Sequence, residues 1–135
     1  MRAVVQRVLS AQVEVEGTCI ARMDRGLLVL VGVGRNDEGS EVPRLARKLV
    51  GLRIFGDEAG RFDRSLLDVG GTIGLVSQFT LYGDARKGRR PSFGGGVAPF
   101  DVALPALREA AVRRLVERHH SSVEGGHGRC PARRR

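Results

Sequence analysis

Residues 26 to 33, Gly-Leu-Leu-Val-Leu-Val-Gly-Val, form one unbroken apolar run that is closed by the polar stretch Gly34-Arg35-Asn36-Asp37. A run this short cannot span a membrane, and its bounded apolar character reads as a central strand on which other elements must pack. A second short run, Ile73-Gly74-Leu75-Val76, follows the turn pair Gly70-Gly71 and reads as a buried strand. Residues 3 to 8 and 12 to 16 are rich in Val and are joined by Leu9-Ser10-Ala11, which predicts an amino-terminal strand pair with one solvated face.

Helical spacing is present twice. Val42, Leu45, Ala46, Leu49 and Val50 fall on one face of residues 41 to 50, with Arg44, Arg47 and Lys48 on another; Ser40 is placed to cap this helix and Pro43 fits its first turn. Residues 101 to 120 carry a second stripe through Leu104, Leu107, Ala111 and Leu115, with Pro105 tolerable near the start. Leu52 to Phe55 read as a short strand, and residues 61 to 71 as irregular chain. Strands interleaved with two main helices make this an α/β protein, and 135 residues fit a single domain able to bury a core.

The chemistry concentrates after the second run, in Ser77-Gln78-Phe79-Thr80-Leu81-Tyr82-Gly83-Asp84, closed by Arg89-Arg90-Pro91-Ser92-Phe93. Gln78 offers a donor and an acceptor, Phe79 an apolar wall or stacking surface, and Thr80 a hydroxyl able to attack or to orient water. The backbone amides of Phe79 and Thr80 are placed to donate to a developing oxyanion. For Phe79 taken alone, ordinary core packing is the better reading; for the set as a whole, a site is.

No His or Lys stands beside Thr80 in sequence, and His119, His120 and His127 all fall in the last helix or the tail. Solvent-exposed histidines explain them better than a Ser-His-Asp arrangement with Ser77 or Thr80, which points to catalysis without a triad. Gly94-Gly95-Gly96 sits in a loop that allows close approach to a ligand, but no Lys-Ser or Lys-Thr follows it, so it is not a P-loop.

Net charge is +8, of which residues 113 to 135 contribute +5. A basic balance favours contact with a polyanion, and Arg86-Lys87-Gly88-Arg89-Arg90 beside the candidate site is the informative part of it. A solvated surface loop accounts for that cluster equally well on charge alone. Cys19 and Cys130 are too few and too separated for a disulfide framework or a zinc site, so reduced thiols, no metal and a cytoplasmic location are expected. No membrane span and no signal-type segment is read in the sequence.

The motif Ser77 to Thr80 with its basic closure, together with Met1-Arg2-Ala3-Val4-Val5-Gln6-Arg7-Val8, residues 26 to 33 and Leu52-Arg53-Ile54-Phe55, resembles the D-aminoacyl-tRNA deacylases over residues 1 to about 126. The resemblance implies a single domain with mixed sheets in a two-sheet or barrel-like arrangement, working as a homodimer. It implies hydrolysis of the ester of D-aminoacyl-tRNA, releasing D-amino acid and tRNA, with neither metal nor organic cofactor. Backbone atoms would dominate recognition, the 2'-hydroxyl of the terminal adenosine would assist, and Arg7 would help organise the pocket.

Gln78, Phe79 and Thr80 are then the expected catalytic group. Ser77, Arg7, Arg86, Lys87, Arg89, Arg90, Ser92 and Phe93 are expected to bind substrate, with the basic residues on phosphate. The family's closing Asn-x-Gly-Pro-Val-Thr motif, which excludes L-aminoacyl groups, has no match: after Glu124-Gly125-Gly126 the chain reads His127-Gly128-Arg129-Cys130-Pro131-Ala132-Arg133-Arg134-Arg135. Residues 127 to 135 are read as an atypical basic tail, the mark of a frameshift. A non-catalytic RNA-binding remnant or a defective product is the alternative expectation.

Overall fold

The computed structural model describes residues 1 to 86, 88 to 96 and 105 to 111. Its centre is a three-stranded sheet in the order β1 (Arg2–Val8), β4 (Gly26–Gly32), β7 (Thr72–Ser77). β4 runs antiparallel to β1 and parallel to β7, so the expected central strand is central. Leu27, Val29 and Val31 alternate onto one face and are at most 1% exposed. The register sets Ala3 and Val5 of β1 and Ile73 and Leu75 of β7 beside them on that face.

The helix α1 (Glu41–Gly51) covers this face with Val42, Ala46, Leu49 and Val50, as its spacing predicts. Phe55, Leu66, and Leu107 and Ala111 from the helical residues 105 to 111 complete the core. Each buried Val, Leu or Phe among these contributes roughly 1.5–3 kcal/mol by leaving water. The rest of the expected helix 101 to 120, the three histidines and the tail 127 to 135 lie outside the described residues.

Several expectations are corrected. β1 pairs with β4 rather than with the next segment; β2 (Ala11–Val15) instead turns back through Glu16 and Gly17 to pair with β3 (Thr18–Met23). Both turn residues have positive φ, 49° and 75°, the geometry that joins twisted strands over two residues. Ser40 does not cap α1 through its side chain: its own backbone is helical and its hydroxyl donates to Glu38 instead. Cys19 on β3 is disulfide-linked rather than a reduced thiol, and its partner lies outside the described residues.

The expected strand at 52 to 55 is displaced to β5 (Phe55–Gly56), paired with β6 (Phe62–Arg64). The stretch 61 to 71 is also ordered further by α2 (Leu66–Val69). One turn of helix is held there by a reciprocal cap: Asp68 N–H donates to Ser65 Oγ at 3.2 Å, and Ser65 N–H to Asp68 Oδ2 at 2.9 Å. This cap fixes Leu66, which is 0% exposed. Ser65→Ala should therefore lower stability by about 1 kcal/mol, readable as a shifted urea midpoint at unchanged slope.

Candidate active site

β7 delivers the motif to one end of the sheet. Ser77 lies opposite Val31, and the Gln78 amide extends the ladder by donating to the Val31 carbonyl at 2.7 Å. The chain then leaves the sheet as a 3-10 turn over Phe79–Tyr82, closed by Leu81 N–H to the Gln78 carbonyl at 3.3 Å and Gly83 N–H to the Thr80 carbonyl at 2.9 Å. Phe79 and Thr80 head this turn, where amide N–H groups have no acceptor within the helix. The expected donors therefore sit on a short helix and not in the strand itself.

The Gln78 carboxamide donates to the Thr80 hydroxyl. That bond leaves the Thr80 hydroxyl its own proton to give. Phe79 remains 43% exposed and meets Phe93 edge to face, with centroids 5.8 Å apart and planes at 71°. Two half-exposed aromatic rings beside a hydroxyl and two amide donors make an open apolar wall, a shape that suits an acyl side chain or a base.

Phe93 is brought there by the loop between Asp84 and Ser92, whose backbones exchange two hydrogen bonds at 2.8 and 2.9 Å. Asp84, Arg86, Arg90 and Ser92 line a groove of about 580 Å³ next to the turn. Arg86 is already engaged: its guanidinium and its amide all donate to the Asp84 carboxylate at 2.6 to 3.1 Å. Those hydrogen bonds hold the Asp84 carboxyl far below the usual carboxylate range. Arg89 and Arg90 are exposed, and Lys87 lies outside the described residues.

Arg7 is not brought to this end. Register places it against Leu27 and Ile73, whereas Ser77 aligns with Val31 and Ala3. Its guanidinium donates to the Ile54 carbonyl at 2.6 Å and lies 4.7 Å from the Phe62 ring centroid. The Gly94 to Gly96 loop makes its close approach to the protein itself: a Cβ on Gly96 would lie 3.0 Å from the Phe79 carbonyl oxygen.

Sequence reasoning missed the residues that brace the turn. Arg2 donates to the Leu81 carbonyl at 2.8 Å and sits 4.4 Å over the Tyr82 ring. The Tyr82 hydroxyl donates to Asp37 at 3.0 Å. Tyr82 stands inside the motif, but its partner is 45 residues away, so only the fold joins them.

The sequence profile of the D-Tyr-tRNA(Tyr) deacylase family matches residues 4 to 129. A D-aminoacyl-tRNA deacylase of Thermosipho africanus (strain TCF52B) is 55% identical over 109 residues, which cover 81% of this chain and 72% of the relative. One from Thermosipho melanesiensis is 48% identical over 126 residues, covering 93% and 83%. Among solved structures, the c-Myc DNA Unwinding Element Binding Protein superposes with a TM-score of 0.71 at 36% identity, covering 87% of this chain and 77% of that one. A structure described as a probable eukaryotic D-amino acid tRNA deacylase gives 0.65 at 20% identity, covering 88% and 69%, a likeness of fold.

Proposed function

The chain belongs to the D-Tyr-tRNA(Tyr) deacylase family, and from that premise we propose how it hydrolyses the ester joining a D-amino acid to tRNA. The match to named deacylases favours this reaction over a non-catalytic RNA-binding remnant. The observation that carries the assignment of the site is the 3-10 turn at the end of β7, which presents the Phe79 and Thr80 amides beside the Gln78-held Thr80 hydroxyl.

Water attacks the ester carbonyl carbon. Charge accumulates on the carbonyl oxygen, where preorganised N–H donors from Phe79 and Thr80 stabilise it more than they stabilise the uncharged ester. Thr80 orients the water, and Gln78 keeps Thr80 in place. The bond from acyl carbon to ribose oxygen then breaks, the proton of the water passes to that oxygen, and free D-amino acid and tRNA leave. The Phe79 and Phe93 rings wall the acyl group or the terminal base.

Arg89 and Arg90 meet phosphate, while Arg86 shapes the groove through Asp84. The opposite face of the sheet supports the homodimer that the resemblance implies: Val4 is 50% exposed there, and Ile20 of β3 is 62% exposed. Apolar surface of this kind is buried when a second copy covers it. The reaction places the protein in the cytoplasm, where tRNA is charged; among the described residues no helix is long and apolar enough to cross a membrane.

The test is ester loss from D-tyrosyl-tRNA and L-tyrosyl-tRNA with purified protein, measured against the uncatalysed background. Accelerated loss of the D form is expected, and a folded sample that accelerates neither would overturn the reading. Gln78→Ala should reduce turnover by about tenfold, the value of one orienting hydrogen bond, with an unchanged unfolding midpoint. Turnover equal to the parent at equal stability would remove Gln78 from the site.

A further inference from the structure

The 3-10 turn that carries the proposed chemistry is weak by itself. It has four residues, i to i+3 hydrogen bonds, and no buried side chain of its own. Catalysis needs its amides held far more tightly than such a turn provides, since a misplacement of about 1 Å costs on the order of a hundredfold in rate. The restraint must come from outside the turn.

Its carboxyl end is gripped by Arg2 and Asp37. Arg2 holds the Leu81 carbonyl and covers the Tyr82 ring. At the Tyr82 hydroxyl stands Asp37, which is only 15% exposed and has each carboxylate oxygen engaged. The Met1 ammonium lies 2.5 Å from Oδ1, while the Gly34 amide and the Tyr82 hydroxyl donate to Oδ2 at 2.5 and 3.0 Å. The ammonium is 3.4 Å from Glu41 as well.

Burial opposes ionisation of Asp37, but the ammonium, the Gly34 amide and the Tyr82 hydroxyl outweigh it and keep the carboxyl below its ordinary value. Burial, and then the bond to Asp37, raise the Tyr82 phenol. A carboxylate therefore accepts from a neutral phenol at neutral pH. Gly34 closes the remaining side of the ring, because a Cβ there would lie 2.8 Å from Cε1, Cζ and the hydroxyl.

We propose that Asp37 is a positioning residue for ester hydrolysis: acting through the Tyr82 hydroxyl, with Arg2 over the ring, it locks the Gln78 to Tyr82 turn in its catalytic geometry. The proposal rests on the deacylase reading of this site. Asp37 touches no reacting atom; its effect passes through the tyrosine ring to the backbone of the turn.

Two single variants and their combination test it. Tyr82→Phe keeps the ring for Arg2 and removes the hydroxyl; Asp37→Ala removes both carboxylate oxygens, and with them the acceptor of that hydroxyl. Each should lower kcat for D-tyrosyl-tRNA about tenfold with KM within about twofold, and the double variant should be no worse than the poorer single one, because both break the same link. Amide hydrogen exchange at Leu81 and Gly83 should quicken in Tyr82→Phe at a nearly unchanged unfolding midpoint.

Unchanged kcat, additive losses, or a loss that follows the unfolded fraction would overturn the positioning role. If the parent protein hydrolyses nothing, the deacylase reading fails, and exchange at Leu81 and Gly83 decides the clamp alone. Faster exchange in Tyr82→Phe supports it and unchanged exchange refutes it.

Discussion

Gly26→Ala should destabilise the protein by about 3 kcal/mol or more, the upper range for forcing extra atoms into a packed interior. Gly26 opens β4 opposite Thr72 in the parallel pairing with β7, and an added Cβ would lie 1.9 Å from the Thr72 carbonyl oxygen, 2.7 Å from its carbon and 2.8 Å from its nitrogen. All three atoms are backbone, so no side-chain rotation relieves the contact. The same junction carries Thr72 N–H to the Arg25 carbonyl at 3.0 Å and the Thr72 hydroxyl to the Asp24 carbonyl at 3.1 Å.

Relief therefore requires β7 to separate from β4 at its first pair, and the strand that separates is the one that carries the proposed catalytic turn. A domain of this size has a total stability of about 5–15 kcal/mol, so the loss takes a large share of it. Thermal unfolding should shift down by roughly 10–20 °C. A shift of only a few degrees would mean that the two strand ends are not packed as described.

The parts of the fold that were legible are those encoded within a few residues of chain. The apolar run at 26 to 33, the spacing of Val42, Ala46, Leu49 and Val50, and the short run at 73 to 76 each carry a local signal, and each became the expected helix or strand, although β7 is half-buried throughout rather than buried. The pairing of β1 was not local. Nothing in residues 2 to 8 states that their partner is β4 rather than β2, and that choice was made by Glu16 and Gly17, whose positive φ values turn β2 onto β3.

The miss at α2 has a different cause. Ser65 and Asp68 stand three apart, with Gly70 behind them in the left-handed conformation, so a capped helical turn was readable. Its four residues offer no period to draw attention to it. β6 could not have been read so: Phe62, Asp63 and Arg64 are all exposed and show no alternation.

For the candidate site, Ser77 to Thr80 was readable as a polar strand end because the strand and its polar residues are contiguous. The brace was not, because Arg2, Asp37 and Tyr82 are assembled from three distant segments. Arg7 shows the converse. It lies in a segment of clear family resemblance, yet register alone fixes that it meets Ile54 and Phe62 rather than Gln78 within one chain.

Gly32→Val should separate catalysis from folding. Gly32 is the last residue of β4, and the turn rests directly on it: a Cβ there would lie 3.0 Å from the Gln78 carbonyl oxygen, 3.1 Å from the Leu81 Cβ and 3.2 Å from the Tyr82 Cδ2. An alanine would need the turn to yield by a few tenths of an ångström, and the two further methyls of valine extend that displacement. The displacement falls on the turn, because Gly32 is held in the β1 ladder opposite Arg2, whereas the turn is closed by two hydrogen bonds and otherwise held by the single side-chain contacts from Arg2 and Asp37.

The stability cost should stay near 1–3 kcal/mol, leaving the protein folded at assay temperature. The Phe79 and Thr80 amides, however, move with the turn, and hydrolysis of D-tyrosyl-tRNA should fall about a hundredfold in kcat/KM. Gly51→Ala, where an added Cβ meets nothing within 4 Å, should leave turnover unchanged and serves as the comparison. If Gly32→Val retains full activity while its midpoint falls, the amides of this turn do not hold the reacting ester, and the oxyanion must be met by other groups.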